Sequence, residues 1–269
     1  MDLQDRDWRL IREERRSGPM QMALDEIAAR TAGAGGPRTV RVYSWSPSTL
    51  SLGYRQEPAT VDWGRCDREG ISVTRRQTGG GGIYHDAYGD ISYSIVAPAE
   101  ELPGDLMESY EILMKPVFDA FDRMDVPATY VSSERPALYE PACYLRELHP
   151  AHDVVVDGRK IAGNAQYRQR DAVIQHGSLS YALDPDRHRG VFTDIPVDEA
   201  TFRERITSIG ETAGIDRPAA VEALESALEA WADANEGAWT DEEIEAATAL
   251  AEQKYGSSVW NRDRIDPTN

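Results

Sequence analysis

Lysine is nearly missing from this chain: of 29 basic residues only Lys115, Lys160 and Lys254 are lysine, and the rest are arginine. Cysteine is scarcer still. Cys66 and Cys143 alone make no disulfide framework, which suits a reducing compartment. No apolar run approaches the ~20 residues that a membrane-spanning helix needs. The opening stretch MDLQDRDWRLIREERR has no apolar core of the signal-peptide kind. These absences predict a cytoplasmic protein with no membrane partner. Positive charge is short too: 47 acidic residues against 29 basic ones give a net charge of −18, spread along the chain without an acidic tail. Such a field repels phosphate backbones, so nucleic acid is excluded as a general partner. An acidic surface that avoids lysine suits a salt-rich cytosol, where repulsion is screened, and predicts a halophilic source.

With 269 residues, 41% of them hydrophobic, the chain is long enough for one large α/β domain with a sizeable core. Helical spacing of Met20, Ala23, Leu24, Ile27 and Ala28 predicts a helix over 20–30. The segment 31–39, TAGAGGPRT, reads as the nearest thing to a linker. Short β-like runs follow: VRVYSW, TLSLGY, ISVTRR and the alternating DISYSIV. Residues 105–124 read as a helix kinked at Pro116. DVVVDGRKIAG reads as a hairpin whose Asp157-Gly158 pair suits a type I′ turn. AVIQHGSLSYAL reads as one more strand. Beyond it, 218–234 is amphipathic, and Thr240 with Glu243 forms a capping box before a final helix. Strands fill the middle and helices lie before, between and after them. The fold class expected is therefore mixed α/β, of α+β character, with a helical portion from about 198 that could pack as a small subdomain.

Four features carry chemistry. Arg75-Arg76-Gln77-Thr78-Gly79-Gly80-Gly81-Gly82-Ile83-Tyr84-His85-Asp86 follows a strand. Its glycines allow a ligand close approach to backbone amides, and two arginines beside them favour a phosphate or carboxylate. A merely flexible loop is the alternative, and the motif is neither a Walker loop nor GxGxxG. Lys160 lies just past the hairpin turn. It is either a solvated surface lysine or, in a chain that otherwise chose arginine, a compact ammonium serving a site. His176, in Gln175-His176-Gly177-Ser178-Leu179, fits a structural histidine as well as a site residue. Cys143 is either a small buried hydrophobe or a nucleophile activated by a cationic neighbour. Cys66 has no such pattern around it, and His149 and His152 have no zinc-ligand spacing with the cysteines. No metal site is expected.

Taken in order, these features resemble the lipoate–protein ligase A and octanoyltransferase family, within the wider biotin/lipoate ligase fold. RRQTGGGGIYHDAYGDISYSIV is similar to one family signature, and DVVVDGRKIAGNAQYRQRDAVIQHGSL to the second. MQMALDEIAAR resembles an N-terminal family helix, and KYGSSVWN a closing motif. The loop type of biotin ligases fits poorly. The resemblance implies a mixed central sheet flanked by helices, with an acyl chain in an apolar tunnel beside the glycine-rich loop. It implies that Arg75, Arg76, Gly79, Gly80, Gly81 and Gly82 line the acyl and nucleotide site. His85 and Asp86 would close the end of the loop. Gly163, Asn164, His176 and Gly177 would form the opposite wall, and Lys160 would bind the electrophile. It also implies one catalytic domain over 1–269 without the C-terminal accessory domain of many single-chain ligases, and so the possibility of a separate accessory subunit.

The first function implied is an ATP-dependent lipoate–protein ligase. It would use ATP and Mg²⁺ to turn lipoate or octanoate into an acyl-AMP and pass the acyl group to a lysine of a lipoyl carrier domain. That carrier would be the glycine cleavage H protein or the lipoyl domain of a 2-oxoacid dehydrogenase. The alternative is an octanoyltransferase that moves octanoate from acyl carrier protein to the lipoyl domain through a thioester on Cys143, because family transferases place a nucleophilic cysteine in a similar position. Many ligases carry Arg-Asn-Asp ahead of the second signature, where this chain has Ala151-His152-Asp153. A third reading, a non-catalytic subunit that delivers lipoyl domains, fits the complete set of motifs least.

Overall fold

The computed structural model describes residues 7–148, 153–168 and 171–268; His149, Ala151 and His152 lie outside them. Two sheets organise the chain. The larger is built from β1 (Trp8–Arg16), β2 (Arg38–Trp45), β6 (Asp90–Pro98), β7 (Thr129–Tyr130), β8 (Val154–Val156), β9 (Arg159–Arg168), β10 (Ala172–Ser180) and β11 (Asn235–Glu236). Its spatial order is β11-β1-β2-β6-β10-β9-β8-β7. The first three strands run parallel and the other pairings are antiparallel. The smaller sheet holds β3 (Thr49–Leu52) between β4 (Ser72–Arg75), parallel to it, and β5 (Ile83–His85), antiparallel.

Alternation along β2 and β6 decides what each face of the large sheet meets. Val40, Val42, Ile91, Tyr93 and Ile95 point to one face and enter the main core. There they pack against α3 (Leu106–Leu113), α4 (Lys115–Arg123) and α8 (Arg217–Ala232). The intervening Arg41, Tyr43, Trp45, Ser92 and Ser94 face the other side. That side is covered by α1 (Gly18–Gly33), by α9 (Asp241–Leu250), which packs on α1, and by the small sheet.

The expected helix over 105–124 is two helices that meet at Met114. Pro116 sits in the first turn of the second, where its missing N–H costs nothing, and it blocks continuation from the first. The expected linker is mostly structure: α1 runs to Gly33 and β2 begins at Arg38. The hairpin forms as expected, with Asp157 at φ 49° and Gly158 at φ 74°. The capping box at Thr240 is present in both halves. The helical portion after 198 is no separate subdomain. Its α8 covers one face of the large sheet, its α9 packs on α1 at the other, and β11 extends the sheet. No helix among the described residues is long and apolar enough to cross a membrane.

Candidate active site

A cavity of about 350 Å³ lies between the two sheets, near the lower end of the ~300–1,000 Å³ range of small-molecule sites. Met22 of α1, Tyr43 and Trp45 of β2 and Ile83 of β5 supply apolar lining. Ser51, His85, Ser92 and Ser178 supply polar lining, so the cavity is apolar in part where the resemblance implies an apolar tunnel. Gly79 and Gly80 stand at one side, and Gly163, Asn164, His176 and Gly177 line it from β9 and β10.

The two arginines before the glycines face inward to the chain and offer nothing to an anion. Arg75 is fully buried and does not line the cavity. Its guanidinium donates to the carbonyls of Gly53 at 2.7 Å, Gln56 at 2.9 Å, Tyr54 at 3.1 Å, Trp260 at 3.2 Å and Asn261 at 2.7 Å. Arg76 touches the cavity, yet every nitrogen of its fork is spent. Nε reaches Thr78 Oγ1 at 3.0 Å, Nη1 reaches Ser51 O at 2.8 Å, and Nη2 reaches Gly79 O at 2.9 Å and Gly81 O at 2.8 Å. Burial without a facing carboxylate pushes Arg76 down to about 10. Charge in the sequence pointed to a phosphate cradle; the structure uses that charge to fold the loop, because five donors on a planar fork can gather several carbonyls at once.

The glycines then fit the loop against its neighbours. Gly80 takes φ 95°, which an L side chain rarely adopts. Gly81 and Gly82 turn away from the cavity and press on the cysteine turn: Gly82 N–H donates to Pro141 O at 2.7 Å, and Cys143 N–H donates to Gly82 O at 2.9 Å. Asp86 also lies off the main cavity. Its carboxylate accepts the N–H groups of Tyr88 and Gly89, both at 2.9 Å, and closes the turn before β6.

At the cavity wall, β9 brings Lys160 to Cys143, which opens a short 3₁₀ turn, Cys143–Leu145. Lys160 Nζ lies 3.8 Å from Cys143 Sγ, 3.1 Å from Cys143 O and 2.6 Å from Asp153 Oδ1. An ammonium has three N–H donors, and these three acceptors take them all. Burial by itself lowers this lysine, but the Cys143 sulfur and the Asp153 carboxylate outweigh it and hold the ammonium above the ordinary lysine range. Gly163 packs beside the pair: a Cβ there would stand 3.4 Å from both Cys143 Sγ and Lys160 Cε, in van der Waals contact with each. Cys66, by contrast, is a core residue beside Leu50 and Ile71, and burial pushes its thiol up to about 11.

The two cavity histidines are held at both nitrogens. His176 Nε2 meets Thr78 Oγ1 at 2.8 Å and Nδ1 meets Asp25 Oδ2 at 3.3 Å, which ties the glycine loop to β10 and α1. Burial keeps His176 below the ordinary imidazole range despite Asp25. His85 Nε2 meets Ser51 Oγ at 2.8 Å and Nδ1 meets Asp90 Oδ2 at 3.0 Å, with the ring stacked on Trp45 at 4.0 Å. Asp25 and Asp90 are both buried and both depressed. Burial opposes this, and Arg41 (for Asp25) and His85 (for Asp90) are the leading attractions.

Sequence reading missed Asp25, Asp90, Asp153 and Glu147, which the structure places in or behind the cavity. One signal existed for Asp153, seven residues before Lys160 at the head of the hairpin. Asp25 and Asp90 lie inside the segments MQMALDEIAAR and RRQTGGGGIYHDAYGDISYSIV, and Glu147 is hidden among 47 acidic residues. Among the described residues no group of three or more His, Cys, Asp or Glu is placed to hold a metal.

The family model for the lipoyl protein ligase A/B catalytic domain matches residues 17–231. Octanoyltransferase LipM of Symbiobacterium thermophilum is 33% identical, over 95% of this chain and 98% of its own. Octanoyltransferase LipM of Bacillus subtilis is 29% identical over 97% and 100%. Two solved structures share the fold at a TM-score of 0.77. One is a bi-partite lipoate protein ligase, described with its E2 lipoyl domain, from Thermoplasma acidophilum (22% identity, 95% and 96% covered). The other is a lipoate-protein ligase A bound with ATP (24% identity, 95% and 98% covered).

Proposed function

The chain belongs to the lipoyl protein ligase A/B catalytic domain family, and from that premise we propose that it is an octanoyltransferase that works through Cys143. The observation that carries this reading is the close set of Cys143, Lys160 and Asp153. The sequence put the ATP-dependent ligase first. Relatives matching nearly end to end are named octanoyltransferases, and that order is reversed. The residues expected around a nucleotide fit it poorly, since Arg75 and Arg76 are spent on carbonyls. Transfer between thioesters and on to an amine needs neither ATP nor Mg²⁺.

In this reading the donor is octanoyl thioester on acyl carrier protein. Cys143 Sγ, beside the Lys160 ammonium, attacks the thioester carbonyl; a new C–S bond forms, the bond to the carrier sulfur breaks, and the thiol proton leaves with the carrier thiol. Lys160 stabilises the negative charge that grows on the acyl oxygen, with Asp153 keeping it in place. The acyl chain runs into the cavity past Met22, Tyr43 and Trp45. A lysine amine of a lipoyl carrier domain then attacks the Cys143 thioester; the C–N bond forms, the C–S bond breaks, and a proton of the amine passes to the sulfur, freeing Cys143 as its thiol. The acidic, lysine-poor surface supports work in a salt-rich cytoplasm, where an acidic carrier still docks.

The test is intact-mass analysis of an apo lipoyl domain in high KCl. One reaction receives octanoyl-acyl carrier protein without ATP, and the other octanoate, ATP and Mg²⁺. Acylation in the first, lost in Cys143→Ala, is expected. Acylation in the second alone would overturn the reading.

A further inference from the structure

We infer that Glu147 receives the acceptor: its carboxylate binds the ε-ammonium of the incoming lysine at the cavity wall and relays a proton from it to water before the amine attacks. This rests on the transferase reading and concerns its second half only.

That half has a chemical requirement the residues described so far do not meet. A lysine arrives as an ammonium, since its ordinary pKa is ~10.4, and an ammonium has no lone pair with which to attack. Something on the cavity wall must hold the cation and let a proton go. Lys160 is no candidate, because its neighbours keep it charged. His85 and His176 have both nitrogens engaged. Asp153 is buried against Lys160 at 2.6 Å.

Among the described residues, Glu147 is the remaining carboxylate on the wall of that cavity, which Tyr43, Arg76 and Arg146 also line. It follows the turn that carries Cys143, two residues past its end. It is exposed. Its neighbour Arg146 is turned to Glu140 at 3.3 Å, and no hydrogen bond or ion pair among the described residues takes up the Glu147 carboxylate. A carboxylate on the same cavity wall as the nucleophile does nothing for the first half-reaction, where the electrophile is neutral and the developing charge negative. It suits the second, where a cation must be brought to the same sulfur. The balance is simple. The ammonium loses one proton through Glu147 to water. The C–N bond forms as the C–S bond breaks, and the second proton of the attacking nitrogen passes to Cys143 Sγ.

The test separates the halves with Glu147→Gln. Cys143 is loaded from octanoyl-acyl carrier protein, and the acyl enzyme is chased with an apo lipoyl domain or with hydroxylamine, a nucleophile that is already neutral. The variant is expected to load and to react with hydroxylamine at wild-type rates, and to transfer to the lipoyl lysine about 100-fold more slowly. The gap should narrow as pH rises toward the lysine's own pKa. Equal transfer to the lipoyl lysine by both proteins overturns the inference while leaving the transferase reading in place. So does an equal slowing with both nucleophiles, which would mark a structural role. Failure of the wild type to load Cys143 at all overturns the transferase reading itself.

Discussion

Lys160 is held by contacts that an arginine could not reproduce. A compact ammonium fits between Asp153 Oδ1, Cys143 O and Cys143 Sγ, whereas a guanidinium is a wide plane. Lys160→Arg should therefore load Cys143 at least ~100-fold more slowly despite its retained charge, measured as thioester formation from octanoyl-acyl carrier protein. A wild-type rate would mean that charge alone suffices. Gly163→Ala places a methyl 3.4 Å from Sγ, in the space a thioester must use. It should lower loading with an unchanged unfolding midpoint, because the contact is tight without being a clash. Sequence alone isolated Lys160 through the scarcity of its kind and kept Cys143 as a nucleophile in reserve. It placed Arg76 on the cavity rightly and Arg75 wrongly, since a run of charge says nothing about which way a strand turns it. It passed over Glu147, since one acid among 47 carries no contrast.

Elements were legible where local rules dominate. The hairpin around Asp157-Gly158, the capping box at Thr240 and the alternation of DISYSIV all depend on neighbours in sequence. WRLIREERR escaped notice because its charged half masks the pattern. As β1 it buries Trp8 and Leu10 and is held parallel to β2, and distant partners hold its polar side chains. Arg9 pairs with Glu243 through two contacts at 2.6 and 2.7 Å, so the same Glu243 caps α9 and fastens it to β1. Another long-range joint lies at the base of the glycine loop. The π-helical turn Val259–Asp263 offers the carbonyls of Trp260 and Asn261 to Arg75, and Trp260 Nε1 donates back to Arg75 O at 2.7 Å. Arg75→Lys would leave several buried carbonyls unpaired and should cost about 2–3 kcal/mol in denaturant unfolding. A loss below measurement error would show that the clasp is dispensable. Thr240→Ala, removing one cap, should cost about 1 kcal/mol.

At the scale of the molecule, acid is the direction of weakness. Buried His176 and His188 are depressed by burial, and the carboxylates of Asp25, Glu26, Asp90 and Glu243 are depressed by their cationic and hydrogen-bonding partners against the opposing effect of burial. A depressed group binds its proton more weakly folded than unfolded, so its contribution is complete above the unfolded pKa and lost as pH falls through the folded one. Thermal midpoints at constant KCl should be level near neutrality. They should decline first below the ordinary imidazole value of about 6.5, and again below about 4 as carboxylates protonate. A midpoint flat from pH 7 to 4 would contradict this. Net charge of −18 adds self-repulsion that salt screens; at about 1 M the screening length is only ~3 Å. Stability should therefore rise with KCl, and a fall would remove the halophilic reading. The joint between Arg75 and Asn261 also bears on synthesis. A ribosome makes the glycine loop first and its acceptors 185 and 186 residues later, at ~5–20 residues per second. Until Trp260 and Asn261 have emerged, a guanidinium destined for burial lacks two of the carbonyls that receive it. The glycine loop therefore gains the last of its carbonyl partners only after they are made, and a nascent chain carries its cysteine well before it carries them.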